Sequence, residues 1–233
     1  MAIFSAPRHA LAAHRGRLAS MAVLAAIAVG LPGCAAGSSS TMAGSGVAAT
    51  QTRTVAGFSR LDLTGSNRVT VVVGGRQSVV VHADSNLISH VTTRVVGDTL
   101  LVGTTGSFTT RNPMNVEISV PSLAALTLSG SGQISASRIS MPSLTVTLSG
   151  SGALDVSGTV AQLEVTLSGS GRAELSQLAA RDVHAVVSGS GLIRVTATGS
   201  LNAAVPGEGA IIYGGNPPQV TTSITGTGAV TRG

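Results

Sequence analysis

The chain has 233 residues, enough for one domain with short extras. It is 43% hydrophobic, 10% charged and 2% aromatic, with 30 glycines, so it can bury a core, but one of small aliphatic side chains. The formal charge of +5 includes Arg8, Arg15 and Arg17 ahead of the first apolar run; from residue 34 on, 11 arginines face 9 acids, which leaves about +2 and no basic cluster for a phosphate backbone, and so argues against nucleic acid as a partner.

The N-terminus reads as a targeting segment over residues 1–33. A positive stretch, Arg8 to Arg17, precedes an apolar run, Leu18 to Val29, that is short for a membrane span. It ends in Leu31-Pro32-Gly33-Cys34, which resembles the lipobox of bacterial lipoproteins. That resemblance implies cleavage before Cys34 and lipid on its thiolate, the best nucleophile among the side chains for taking a diacylglycerol group. An ordinary secretory signal with an incidental cysteine is the competing reading. Cys34 is the single cysteine, so no disulfide forms within the chain. Ala35 follows it where an aspartate does not, and in a Gram-negative cell the lipoprotein resemblance then implies outer-membrane delivery.

Residues 34–54 are rich in Gly, Ser, Ala and Thr without periodicity, and are expected to be a flexible tether. From residue 55 to 233 the chain turns strand-like. Two β-rich runs, starting at Arg68 and Gln77, join at Gly74-Gly75, and Gly97-Asp98 is a turn between two more. No sustained 3.6-residue period appears, so helices should be few.

A repeat then sets the architecture. Leu128, Leu148, Leu167 and Val187 each begin a copy of Ser-Gly-Ser-Gly; Val205-PGEG and Ile224-TGTG are degenerate copies, and Leu63-TGSN is a candidate earlier relative. The six copies start 20, 19, 20, 18 and 19 residues apart. A period of about 19 suits one coil of a β-solenoid. Alternation puts apolar residues and motif glycines on one face and Ser and Thr on the other. The serines should therefore stand outward in columns: Ser129, Ser149, Ser168, Ser188, and next to them Ser131, Ser151, Ser170, Ser190. This phase assumes a strand unbroken through the motif; were the motif a corner, the serines could point inward instead.

The same columns collect charges. Asp155, Glu174 and Arg194 each sit seven residues after a motif start, and Glu164 and His184 three before one. Two acids on adjacent coils resemble the paired carboxylates of β-helix polysaccharide hydrolases and lyases, which work when their pKa values are pushed apart. A solvated ladder, with arginine offsetting the acids, is the simpler expectation. His82, His90 and His184 are far apart in sequence, and the motif carries no acid for calcium, so neither metal nor cofactor is expected. The serines lack the spacing of a nucleophile elbow.

From Gly57 to Gly233 the chain resembles the "putative auto-transporter adhesin, head GIN domain" family of bacterial envelope proteins. Phe58-Ser-Arg-Leu-Asp-Leu, Asn67-Arg-Val-Thr-Val, the stretch from Val91 to Val102, Val120-Pro-Ser-Leu and the Ser-Gly-Ser-Gly run carry the likeness in order. It implies an all-β, single-stranded right-handed parallel β-helix, often on a lipoprotein, and brings no catalytic residues. The expectation is an exported, lipid-anchored, non-enzymatic module for adhesion, binding or scaffolding, with the membrane as partner through Cys34 and an envelope polysaccharide or protein as ligand. A polysaccharide lyase or hydrolase using Asp155 and Glu174 is the alternative.

Overall fold

The computed structural model describes residues 41–233; the apolar leader and Cys34 lie outside the described residues. In chain order the strands are β1 (Met42–Ala43), β2 (Ala48–Thr52), β3 (Arg60–Gly65), β4 (Arg68–Val73), β5 (Ser78–Asp84), β6 (Val91–Val96), β7 (Thr99–Thr104), β8 (Phe108–Thr109) and β9 (Asn115–Val120). They continue as β10 (Ala125–Gly130), β11 (Gln133–Gly150), β12 (Ala153–Gly169), β13 (Arg172–Val187), β14 (Leu192–Val205), β15 (Ala210–Gly215), β16 (Gln219–Ile224) and β17 (Ala229–Arg232). One 3-10 turn, Ile88–His90, separates β5 from β6. The fold is an all-β solenoid, as the repeat predicts.

Each coil runs along one ladder, turns at the Gly-Ser-Gly corner and continues along a second. The first ladder stacks β6, β7, β3 and β10 on the C-terminal halves of β11 to β14 and then β16. The second stacks β2, β5, β9 and β4 on the N-terminal parts of β11 to β14 and then β15 and β17. The repeat fixes the register: Leu63, Leu128, Leu148, Leu167 and Val187 lie side by side. Leu63-TGSN is thus a true rung, and the chain between it and Leu128 builds the N-terminal end of the solenoid.

The core is one file of stacked aliphatic side chains. Leu126, Leu128, Val146, Leu148, Val165 and Leu167 are all fully buried, and each contributes roughly 1.5–3 kcal/mol by leaving water. Their outward neighbours are Thr and Ser, which is why each rung alternates. The motif is a corner after all: β10 ends at Gly130 and β11 begins at Gln133. The alternation nevertheless survives the bend. Ser149, Ser151, Ser168, Ser170, Ser188 and Ser190 are exposed, while Gly152, Gly171 and Gly191 are buried. The inward-serine alternative is overturned, and the assumption of an unbroken strand is corrected. Glycine is required here because coils touch through their backbones. Gly150 has φ +122°, and a Cβ on it would lie 2.5 Å from the Gly130 carbonyl oxygen. That contact leaves the Gly150 carbonyl free to accept the N–H groups of Ser170 (3.0 Å) and Gly171 (2.9 Å) from the next coil.

The N-terminal end departs from expectation in two ways. The runs at Arg68 and Gln77 do not pair with each other: β9 inserts between them, parallel to β4 and antiparallel to β5. The tether expected over 34–54 is also corrected over its described part. Ala48–Thr52 pairs antiparallel with β5, and Met42–Ala43 pairs with β8. The anchor is Asp84, fully buried at the end of β5. Its carboxylate accepts the N–H groups of Gly46 (3.0 Å), Arg111 (2.8 Å) and Asn112 (3.3 Å) and the Asn112 amide (2.6 Å). The Arg111 backbone N–H, reinforced by the contacts from Asn112 and Gly46, holds its pKa below the usual carboxylate value against the opposing effect of burial.

Candidate functional site

The parallel register brings the sequence-predicted charges together. Asp155, Glu174 and Arg194 are direct rung partners on three successive coils. Arg194 Nη1 donates to Glu174 Oε2 at 3.1 Å, and Ser176 Oγ donates to Glu174 Oε1 at 2.6 Å. Burial pushes the Glu174 carboxyl up, but the Ser176 and Arg194 hydrogen bonds and the guanidinium charge outweigh it, so its pKa lies below the usual value. A carboxylate held down this way is a poor proton donor. The geometry makes Glu174 a fixed anion and gives the paired-acid reading no protonated partner on this residue.

Glu164 and His184 are likewise rung partners, with Thr145 before them and Asn202 after. Two residues earlier on each strand lies a second outward column, Ser143, Gln162, Asp182 and Ser200. Together these columns line a shallow cleft of about 390 Å³ on the first ladder. Asp182 anchors it: Ser200 Oγ donates to Oδ1 at 2.8 Å, and Arg181 Nε donates to Oδ2 at 2.9 Å. The Ser200 hydrogen bond, followed by that of Arg181, keeps the Asp182 carboxyl below its ordinary pKa despite partial burial. The cleft thus offers fixed acceptors, two amides and an imidazole at rung spacing, which suits recognition of a polar ligand through hydrogen bonds. Sequence reasoning singled out Glu164 and His184 but passed over Gln162, Asp182, Ser200 and Asn202. The signal was available: 143, 162, 182 and 200 all fall five residues before a motif start.

Among the described residues, no group of three or more His, Cys, Asp or Glu lies close enough to hold a metal ion. Nor is any described helix long and apolar enough to cross a membrane.

The model of one family, described as "Putative auto-transporter adhesin, head GIN domain", matches residues 57–217. The chain belongs to this head GIN family. Its match begins just before β3 and ends after β15, so it takes in both ladders and all four intact motifs. No curated protein matches the chain by sequence. Among solved structures, a "putative adhesin" from Bacteroides fragilis is similar at 23% identity with a TM-score of 0.69, over 82% of this chain and 99% of that one. A "putative lipid binding protein" from Parabacteroides distasonis is similar at 22% identity with a TM-score of 0.54, over 83% of this chain and all of the other. At these identities the likeness is one of fold.

Proposed function

We propose that this chain is a lipid-anchored head GIN solenoid of the cell envelope that serves as a non-enzymatic adhesion or binding module. The family match carries the reading, since the family is described by adhesion and a cell-envelope role follows from it. The Leu31-Pro-Gly-Cys34 sequence supports the anchor, in the outer membrane if the cell is Gram-negative. The membrane is then one partner, through lipid on Cys34, and an envelope polysaccharide or protein is the other. The polar columns of Gln162, Glu164, Asp182, His184 and Asn202 give the module a face to bind with.

Fractionation of cells producing the full chain and its Cys34→Ala variant tests the anchor. The wild-type chain is expected in the membrane pellet and the variant in the soluble fraction; a variant that stays firmly membrane-bound refutes the anchor. A lyase assay on uronate polymers tests the absence of catalysis, which turnover above the buffer rate would overturn.

A further inference from the structure

We propose that the outward face of β3, β7 and β6 is a binding site for an acidic saccharide, seated over Gly103 with a hydroxyl on Asp62 and its carboxylate on Arg94. This site rests on the binding role proposed above and gives it a ligand class.

Asp62, Thr64, Thr92, Arg94, Gly103 and Thr104 line a cleft of about 820 Å³, within the usual size range of small-molecule sites. Register explains the hollow. Asp62 and Arg94 are both rung partners of Leu101, so acid and cation stand on either side of one residue. Thr92 is the rung partner of Gly103, which has no side chain to fill the space between Thr92 and Thr64.

Two buried polar atoms of this cleft lack partners. Asp62 Oδ1 is buried without a hydrogen bond, and so is Arg53 Nε at the rim of the same cleft. The other end of Arg53 is committed, with Nη2 donating to the carbonyls of Ile88 (2.8 Å) and Val91 (3.2 Å). Burial with no compensating donor raises the Asp62 pKa. Among the described residues Arg94 makes no ion pair. Leaving buried polar groups unmade is costly, so a ligand that satisfies them gains affinity.

The mix of groups selects the ligand. An inorganic anion would meet the Asp62 carboxylate, and a cation would meet Arg94 and Arg53. A sugar hydroxyl can donate to Asp62 and accept from arginine, while two guanidiniums against one carboxylate leave room for one negative charge. The threonines supply hydroxyls that serve in either role.

Calorimetric titration of the full chain in detergent, using a galacturonate tetramer and a neutral glucose tetramer, tests this. The acidic tetramer should bind and the neutral one much more weakly. Gly103→Val should abolish binding by filling the hollow. Its Cβ finds ordinary contact, with Thr92 Oγ1 at 3.4 Å and the Thr64 carbonyl oxygen at 3.7 Å, and melting by circular dichroism checks that the variant keeps its fold. Arg94→Gln should weaken binding about tenfold through loss of a charged hydrogen bond, and the distant Glu208→Gln should leave it unaltered. Absence of binding at millimolar tetramer, equal binding of the neutral tetramer, or full binding by Arg94→Gln would each overturn the site. None of these outcomes touches the anchor, which the fractionation of Cys34→Ala decides separately.

Discussion

Replacing Gly152 by alanine adds one methyl group to the inner wall of a corner, where the preceding coil leaves no room for it. The new Cβ would lie 2.6 Å from the Gly132 carbonyl oxygen and 2.7 Å from Leu128 Cδ2. Neither neighbour can step aside cheaply: Leu128 is fully buried, and the Gly132 carbonyl accepts the Ala153 N–H at 3.0 Å. Overpacking of this kind costs about 1–3 kcal/mol, and a weakened backbone hydrogen bond about 0.5–1.5 more, so a loss of roughly 2–4 kcal/mol is expected. For a chain of this size each kcal/mol moves the melting midpoint by about 2–4 °C, which places the drop at about 4–16 °C. Two other glycines separate the causes. Gly57 has nothing within 4 Å of a built Cβ and no positive φ, so Gly57→Ala should hold or slightly raise the midpoint. Gly74 is equally open but has φ +104°, so Gly74→Ala should show backbone strain alone, about 1–3 kcal/mol. Thermal unfolding followed by far-UV circular dichroism ranks the three. A Gly152→Ala midpoint level with that of Gly57→Ala would refute backbone contact between coils as the reason for glycine in the motif.

Acid should loosen the N-terminal end. The folded-state pKa of Asp84 is depressed, so its contribution is present above the unfolded carboxylate value and is lost as pH falls through the folded one. Hydrogen exchange at the Gly46, Arg111 and Asn112 amides should therefore quicken on acidification, and in Asp84→Asn it should already be fast at neutral pH; amides equally protected in both proteins would contradict this. Arg138 is the one described non-glycine residue with positive φ, at 60°, where the ladder register shifts after Ala136. Arg138→Gly should stabilise the chain by up to about 1 kcal/mol in urea titration, and a lower midpoint would mean that the Arg138 side chain contributes more than its backbone costs.

Much of the solenoid was legible because its information is local and repeated. One period and one alternation placed Leu128, Leu148, Leu167 and Val187 on neighbouring rungs and turned the serines outward. Even the wrong assumption of a continuous strand did no harm, because the Gly-Ser-Gly bend keeps the inward–outward order on both sides. The N-terminal end was not legible for the converse reason. Whether β4 pairs with β5 or with β9 depends on contacts far apart in sequence, and a glycine pair at 74–75 looks the same in either case. The Ala48–Thr52 strand was missed because its residues are small and polar. The segment is held by its ladder with β5 and, just before it, by the Asp84 carboxylate, whose donors come from residues 46, 111 and 112. Of the site residues, Glu164 and His184 stood out by charge, whereas Gln162 and Asn202 needed the register to gain meaning.

Repetition also bears on where function sits. A parallel stack places like residues beside like, so its polar columns can satisfy each other from rung to rung. Ser168 bonds Ser188 at 3.1 Å, Asp182 takes Ser200 at 2.8 Å, and Glu174 takes Arg194 at 3.1 Å. Regular coils therefore tend to spend their hydrogen-bonding capacity on one another. Buried capacity is left unmet where the repeat fails, because a residue there has an unlike neighbour on the next rung. Asp62 shows this directly. Its column continues through Thr127, Thr147 and Thr166 on one side, but on the other it meets Leu101, which has nothing to donate. Gly103 opens the floor next to it, and Arg94 completes the edge. The same break that made this end hard to read from sequence leaves it with unmatched groups.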